Sequence, residues 1–318
     1  MRHYLDFEKQ LEPIEKRIEE IRKFHDVSDP HYAKELSSLE KKLPKIERDI
    51  YSNMTNWQRS QLSRHLSRPH TLDYIQNLCT DFVELHGDRK FRDDPAIVGG
   101  PASFDKMNVV VVGHQKGKDV RGMAERNFGM ANPEGYRKAM RLMELAHRWK
   151  KPLITFIDTP GAFPGVGAEE RGQAETIASS IYFMFSLLVP IVVIVIGEGG
   201  SGGALAIGVG DRILMLENAT YSVISPEGCA AILWRDGSKG ALAADALKPT
   251  AQELIKLKVI DAIVKEPFGG AHRSWGETFE NTREMLAKHL KELLEIPPEA
   301  LREKRYEKFR KMGVFEEK

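Results

Sequence analysis

The sequence of 318 residues has only two cysteines, Cys79 and Cys229, far apart and in no Cys-x-x-Cys pair. A disulfide framework and a thiolate zinc site are thereby excluded, and reduced thiols in a cytosolic chain are expected. Excess charge of one sign is also missing: 47 Lys and Arg stand against 46 Asp and Glu, for a formal net charge of +1. No overall field selects nucleic acid or a membrane surface as partner, although local basic patches stay open. A long apolar run is lacking too. The longest, Leu187 to Ile196, contains Pro190 and is too short to span a bilayer. The first residues carry acids early and no apolar core, so no signal peptide is expected and the location expected is cytoplasmic.

What is present is ordinary globular material, 42% hydrophobic and 29% charged. Leu11, Ile14, Ile18 and Ile21 step by three and four, as do Leu36, Leu39, Leu43, Ile46 and Ile50. Each set lines one helix face, and Ser28-Asp29-Pro30 between them supplies a cap and a first-turn proline. An antiparallel helical hairpin is expected, kinked or interrupted at Pro44. Two helices cannot bury both stripes alone, so the arm should pack on the body or on a partner chain.

From about residue 95 short apolar runs alternate with amphipathic stretches. Val109–Val112, Leu153–Ile157, Ile191–Ile196 and Ile213–Leu216 read as strands, with helices after Asn132-Pro133 and over Glu169–Leu188. Continuous apolar strands with helices between them argue a buried, largely parallel sheet of an α/β fold. Charged helix returns over the last fifty residues, with Leu286, Leu290, Leu293 and Leu294. The expected division is a helical arm over 1–90, a core over 91–270 and a helical tail over 271–318.

In such a sheet, functional groups gather where strands end and helices begin. Three loops stand there: Gly113 to Asp119, Asp158 to Gly165, and Gly197 to Gly203. The first is not a phosphate-binding loop, because three residues rather than four separate Gly113 from Gly117-Lys118, and Asp119 supplies no hydroxyl for magnesium. The second contains Asp-x-x-Gly, but no Asn-Lys-x-Asp accompanies it for guanine. The third, Gly199-x-Ser201-x-Gly203, has the pattern of a hydrolase nucleophile elbow. Only His272 and His289 follow it as candidate bases, both in charged C-terminal segments. The other use of this loop is simpler. Glycines let backbone N–H groups approach a ligand, and N–H groups opening a helix from Gly202-Gly203 would stabilise an anionic oxygen. A tight strand–helix turn made only for packing explains the same glycines.

At these loops the sequence resembles a known family, the alpha subunit of the bacterial-type acetyl-CoA carboxylase carboxyltransferase. The matching stretches are Gly113 to Gly117, Asn127 to Met130, Pro133 to Ala139, Thr155 to Gln173, Gly197 to Gly210 and Tyr221 to Cys229. The likeness runs from about Trp57 to Arg273. It implies a crotonase-like fold of repeated β-β-α turns with a helical arm and tail. It implies pairing with a beta subunit of related fold as α2β2, the beta chain carrying a zinc ribbon and this chain no metal. It also implies a biotin carboxyl carrier protein, which delivers carboxybiotin made by a separate ATP-using biotin carboxylase. The reaction implied converts acetyl-CoA to malonyl-CoA for fatty acid synthesis.

The resemblance makes Gly202 and Gly203 the donors to the ureido oxygen of biotin, with Gly161 and Ala162 as additional donors by analogy of fold. Gly203→Val is expected to abolish transfer while leaving the fold intact. Lys116, Lys118, Arg121 and Arg126 could meet CoA phosphates or the carrier; a solvated basic loop is the plain alternative. Glu169, Glu170 and Arg171 suit a helix start better than catalysis. Ser225-Pro226-Glu227-Gly228 reads as a turn before a helix at the subunit contact. Two other functions would use the same fold: a stand-alone hydratase or isomerase acting on acyl-CoA, or a non-catalytic scaffold subunit of the carboxylase.

Overall fold

The computed structural model describes residues 3–313. Its N-terminal arm follows from the two apolar stripes. Helix α1 (Glu12–Phe24) and helix α2 (Pro30–Tyr51) are joined by a short link in which Asp29 accepts the His31 N–H at 2.8 Å and Pro30 takes the first helical position. Leu11, Ile50 and Tyr51 form a small buried cluster at the base of the pair. Helix α2 runs through Pro44 without interruption. Proline removes one bond, to the carbonyl of the exposed Glu40. On one side of it Arg17–Glu35 and Arg22–Glu40 tie α2 to α1, and on the other the Leu11–Ile50 cluster does, so both halves stay in register.

The base of the arm is fixed to the body by polar groups. Arg273 donates to Tyr51 Oη at 2.9 Å, Glu15 Oε1 at 2.6 Å and Glu47 Oε1 at 3.2 Å. Buried Glu8 accepts the Tyr51 hydroxyl at 2.6 Å and the Leu5 N–H at 2.9 Å. It also faces His272 Nε2 at 3.4 Å, and the His272 ring lies against His65 with centroids 4.1 Å apart.

Helices α3 (Asn56–Ser63) and α4 (Thr71–Leu78) lead into one eight-stranded mixed sheet. Strands β1 (Cys79–Thr80), β2 (Ile97–Phe104) and β3 (Met107–His114) pair antiparallel. The β2–β3 hairpin turns through Asp105 and Lys106, both at positive φ, which matches the twist of the flanking strands. After α5 (Val120–Glu125) and α6 (Pro133–Trp149), β4 (Leu153–Thr159) joins β3 in parallel. The helix expected over Glu169–Leu188 is two helices, α7 (Val166–Glu170) and α8 (Gln173–Ser186). Gly172 divides them at φ +82°, a left-handed conformation that ends a helix and that glycine adopts without strain.

Strand β5 (Ile191–Gly200) then pairs with β4, the short α9 (Ser201–Leu205) follows directly, and β6 (Arg212–Leu216) pairs with β5 on its other side. Strand β7 (Thr220–Ser222) continues beside the end of β5. Helices α10 (Pro226–Trp234), α11 (Gly240–Leu247) and α12 (Ala251–Lys256) precede β8 (Ala262–Val264), which pairs with β6. Helices α13 (Trp275–Leu294) and α14 (Pro298–Arg310) close the described chain. The apolar runs of β3 to β6 are buried throughout, and Tyr136, Ala139, Leu142 and Met143 of α6 join the same core with Leu286, Leu290 and Leu293 of α13. No helix among the described residues is long and apolar enough to cross a membrane.

Candidate functional site

The parallel strands β3, β4 and β5 all end at one edge of the sheet, and there the three sequence loops meet. Strands β4 and β5 run in register from Leu153–Ile191 to Ile157–Val195, then slip so that Thr159 pairs with Gly199. The slip sets Asp158 beside Glu198, each the last charged residue before a glycine-rich turn. Asp158 Oδ1 accepts the Glu198 N–H at 3.1 Å. Only glycine fits at 197, where a Cβ would lie 2.4 Å from Asp158 Oδ1.

Lys116, from the loop after β3, reaches between the two acids, with Nζ 2.8 Å from Asp158 Oδ1 and 2.7 Å from Glu198 Oε2. Its side chain is only 14% exposed. Burial disfavours the ammonium, but the two carboxylates outweigh it and raise its pKa. The same pairing, with His70 Nδ1 at 3.1 Å from the other Asp158 oxygen, holds the buried Asp158 carboxyl well below the usual range despite desolvation. Glu198 also meets Arg64 at 3.1 Å, and Arg64 meets Glu227 of α10 at 2.8 Å.

Past these acids the two turns touch. A Cβ at Gly200 would fall 2.1 Å from the Pro160 carbonyl oxygen, and one at Gly203 2.5 Å from Gly161 C and 2.6 Å from Ala162 N. Gly161, Ala162, Gly202 and Gly203 are thus brought together. Gly202 and Gly203 sit in the first turn of α9, whose N–H groups lack intrahelical partners, and Gly200 at the cap has no side chain to offer. The Gly161 N–H is donated to Thr159 Oγ1 at 3.1 Å and the Phe163 N–H to the Ala131 carbonyl at 3.0 Å, and between them the Ala162 N–H has no hydrogen-bond partner among the described residues. Ser201 is held at φ +54°, a left-handed conformation unusual for a non-glycine residue. A groove of about 350 Å³ opens beside it, lined largely by apolar side chains including Leu205, Tyr221, Val223, Leu254 and Phe309.

The four basic residues of the first loop are not gathered into one patch. Lys116 is committed inside, Lys118 reaches Asp73 at 2.5 Å, Arg121 pairs with Glu125 at 2.9 Å, and Arg126 donates to the Pro95 carbonyl at 2.5 Å. Arg171 bonds Glu134 and Asn132, while Ser225 caps α10 by accepting the Gly228 N–H at 3.1 Å. The hydrolase pattern fails on geometry: His272 belongs to the arm junction, and the ring of His289 stands beside Glu292 in α13. Among the described residues, Glu8, His65 and His272 have metal-ligand chemistry within reach of one another. Both Glu8 oxygens are already hydrogen-bonded, as are both ring nitrogens of His65, to the His3 carbonyl at 3.0 Å and the Ser67 N–H at 3.1 Å. Asp158, Glu198 and His70 were not singled out in the sequence. The signal available was an acid closing an apolar strand just before glycines, seen twice.

Residues 4–313 match the model of a family described as acetyl co-enzyme A carboxylase carboxyltransferase-like. The chain is 57% identical over 317 residues to an acetyl-coenzyme A carboxylase carboxyl transferase subunit alpha of Geobacter metallireducens, covering 99% of both. It is 55% identical over 313 residues to the subunit of the same name from Thermus thermophilus, covering 98% of this chain and 99% of the other. Among solved structures it is similar to a transcarboxylase 12S, with TM-score 0.57, 19% identity and 70% of this chain covered. The chain spans 41% of that protein. A Pseudomonas malonate decarboxylase hetero-dimer matches with TM-score 0.54 and 18% identity, over 67% of this chain and 84% of the other. The fold is the crotonase-like α/β fold of these enzymes.

Proposed function

The chain belongs to the acetyl-CoA carboxylase carboxyltransferase family, and from that premise we propose that it is the alpha half of a shared site that moves a carboxyl group from biotin to acetyl-CoA. The observation that carries the reading is the pair of touching glycine turns with open N–H groups at the edge of the sheet. When the carboxyl group leaves carboxybiotin, negative charge develops on the ureido oxygen. Ala162, Gly202 and Gly203 offer N–H donors to it, in a place where a protein need not reorganise to receive the charge. The adjoining apolar groove suits the aliphatic side chain through which biotin is tethered. The enolate oxygen of the thioester falls to a beta subunit, which completes the site as α2β2.

The carrier protein and biotin carboxylase are partners in this reading, in the cytoplasm, and Lys118, Arg121 and Arg126 are the residues left to meet CoA or carrier. The stand-alone hydratase is not favoured, because the acids nearest the donors, Asp158 and Glu198, are both bound by Lys116.

The test mixes this chain with a candidate beta subunit and follows malonyl-CoA-dependent carboxylation of free biocytin, each chain alone being the control. Activity in the mixture only is expected. Turnover by this chain alone would overturn the shared site, and a stable but inactive complex would favour the scaffold.

A further inference from the structure

Lys116 stands behind the site, and its position is hard to account for as a ligand contact. Two carboxylates at 2.7 and 2.8 Å engage its ammonium. Those carboxylates come from different strands, and each lies just ahead of one of the two turns that offer donors. Asp158 precedes Thr159-Pro160-Gly161-Ala162, and Glu198 precedes Gly199 to Gly203. Side by side in a buried place, two carboxylates repel, and the repulsion would drive the strand ends apart. In the other direction the turns are already at contact, since no Cβ fits at Gly200 or Gly203. Glycine contacts therefore set the closest approach of the turns, and the lysine opposes their opening together with the Glu198 N–H bond to Asp158 Oδ1.

We propose that Lys116 is a positioning residue, whose ammonium clamps the Asp158 turn to the Glu198 turn at the spacing that lets Ala162, Gly202 and Gly203 converge on one oxygen. This rests on the oxyanion reading above for its catalytic consequence, but not for the clamp itself. The two can be tested apart.

In the reconstituted complex, Lys116→Met should lower kcat for biocytin carboxylation about 10²-fold while KM for malonyl-CoA moves by less than about twofold, the mark of misplacement rather than lost binding. Lys116→Arg, which can also bridge two carboxylates, should recover most of the rate. Hydrogen exchange on the single chain supplies a readout independent of activity. Lys116→Met should speed exchange about tenfold at the hydrogen-bonded amides of the two turns, those of Gly161, Phe163 and Glu198, and leave the amides of Val110–Val112 and Ile191–Ile196 as protected as before. A raised KM at unchanged kcat would make Lys116 a substrate contact and overturn the clamp. Unchanged exchange in both turns would overturn it as well, and faster exchange everywhere would reduce Lys116 to a general structural role. If the unaltered complex transfers nothing, the oxyanion reading fails, and the exchange result alone decides whether the clamp exists.

Discussion

The same parallel strands carry a buried cation at each end, and the two are built differently. Where β5 and β6 begin, the Arg305 guanidinium from α14 donates to both Asp211 oxygens, at 2.9 and 2.8 Å, and to the carbonyls of Met184, Leu187 and Val189 at 2.7 to 2.9 Å. All five donors are used, and Asp211 also accepts the Ile191 N–H at 2.7 Å. Where β4 and β5 end, Lys116 bridges two acids, the backbone breaks register, Ser201 is left-handed and several N–H groups have no hydrogen-bond partner among the described residues. One end is saturated and the other is kept open. A saturated polar network rigidifies, whereas one with spare donors costs stability and offers chemistry.

The strongest way to break that comparison is at the saturated end. Arg305→Met leaves Asp211 buried without its partner, and denaturant unfolding should show a loss of roughly 3–5 kcal/mol with turnover per folded complex unchanged. At the open end, Gly203→Ala places a methyl where the Gly161–Ala162 backbone already lies. Biocytin carboxylation should fall by about 10²–10³, roughly 2.7–4 kcal/mol of barrier. The expectation that Gly203→Val leaves the fold intact is corrected by the same contact, because valine too must part the turns. Gly202→Ala is the control: its Cβ would meet Ile177 at an ordinary 3.5 Å, so its methyl is tolerated by the fold. Near-equal loss in both variants would mean the donors are not distinguished by packing.

The smallest effect expected is with pH. His114, at the end of β3, is fully buried, and burial pushes it down to about 4. Below its ordinary value near 6.5 the unfolded chain takes a proton that the folded chain refuses, so stability is complete above that pH and lost as pH falls toward 4. Unfolding measured from pH 7 to 4 should show about 2–3 kcal/mol of loss from this group, and His114→Gln should flatten the slope. An unchanged slope would place the titration elsewhere.

Much of the fold was legible. The runs Val109–Val112, Leu153–Ile157 and Ile191–Ile196 read as buried strands because, Thr155 apart, only apolar side chains stand in them, and the structure places them at the centre of the sheet. Strands β1, β2, β7 and β8 were not legible. Strand β2 carries Gly99, Gly100 and Pro101 and is fixed by pairing with β3, a long-range property that local composition does not show. Pro44 does not interrupt α2, because a proline on an exposed face costs one bond and no break. Of the candidate site, the glycines could be read because they stand in a fixed place after strands. Lys116 could not: its sequence neighbours make it one of several loop cations, and only the pairing of β4 with β5 creates the gap it fills.

Asp211 and Arg305 are separated by 94 residues. During synthesis the carboxylate exists long before the guanidinium that neutralises it, and the edge where β5 and β6 start cannot be sealed until helix α14 has left the ribosome. The sheet is therefore finished last at the end that looks most rigid.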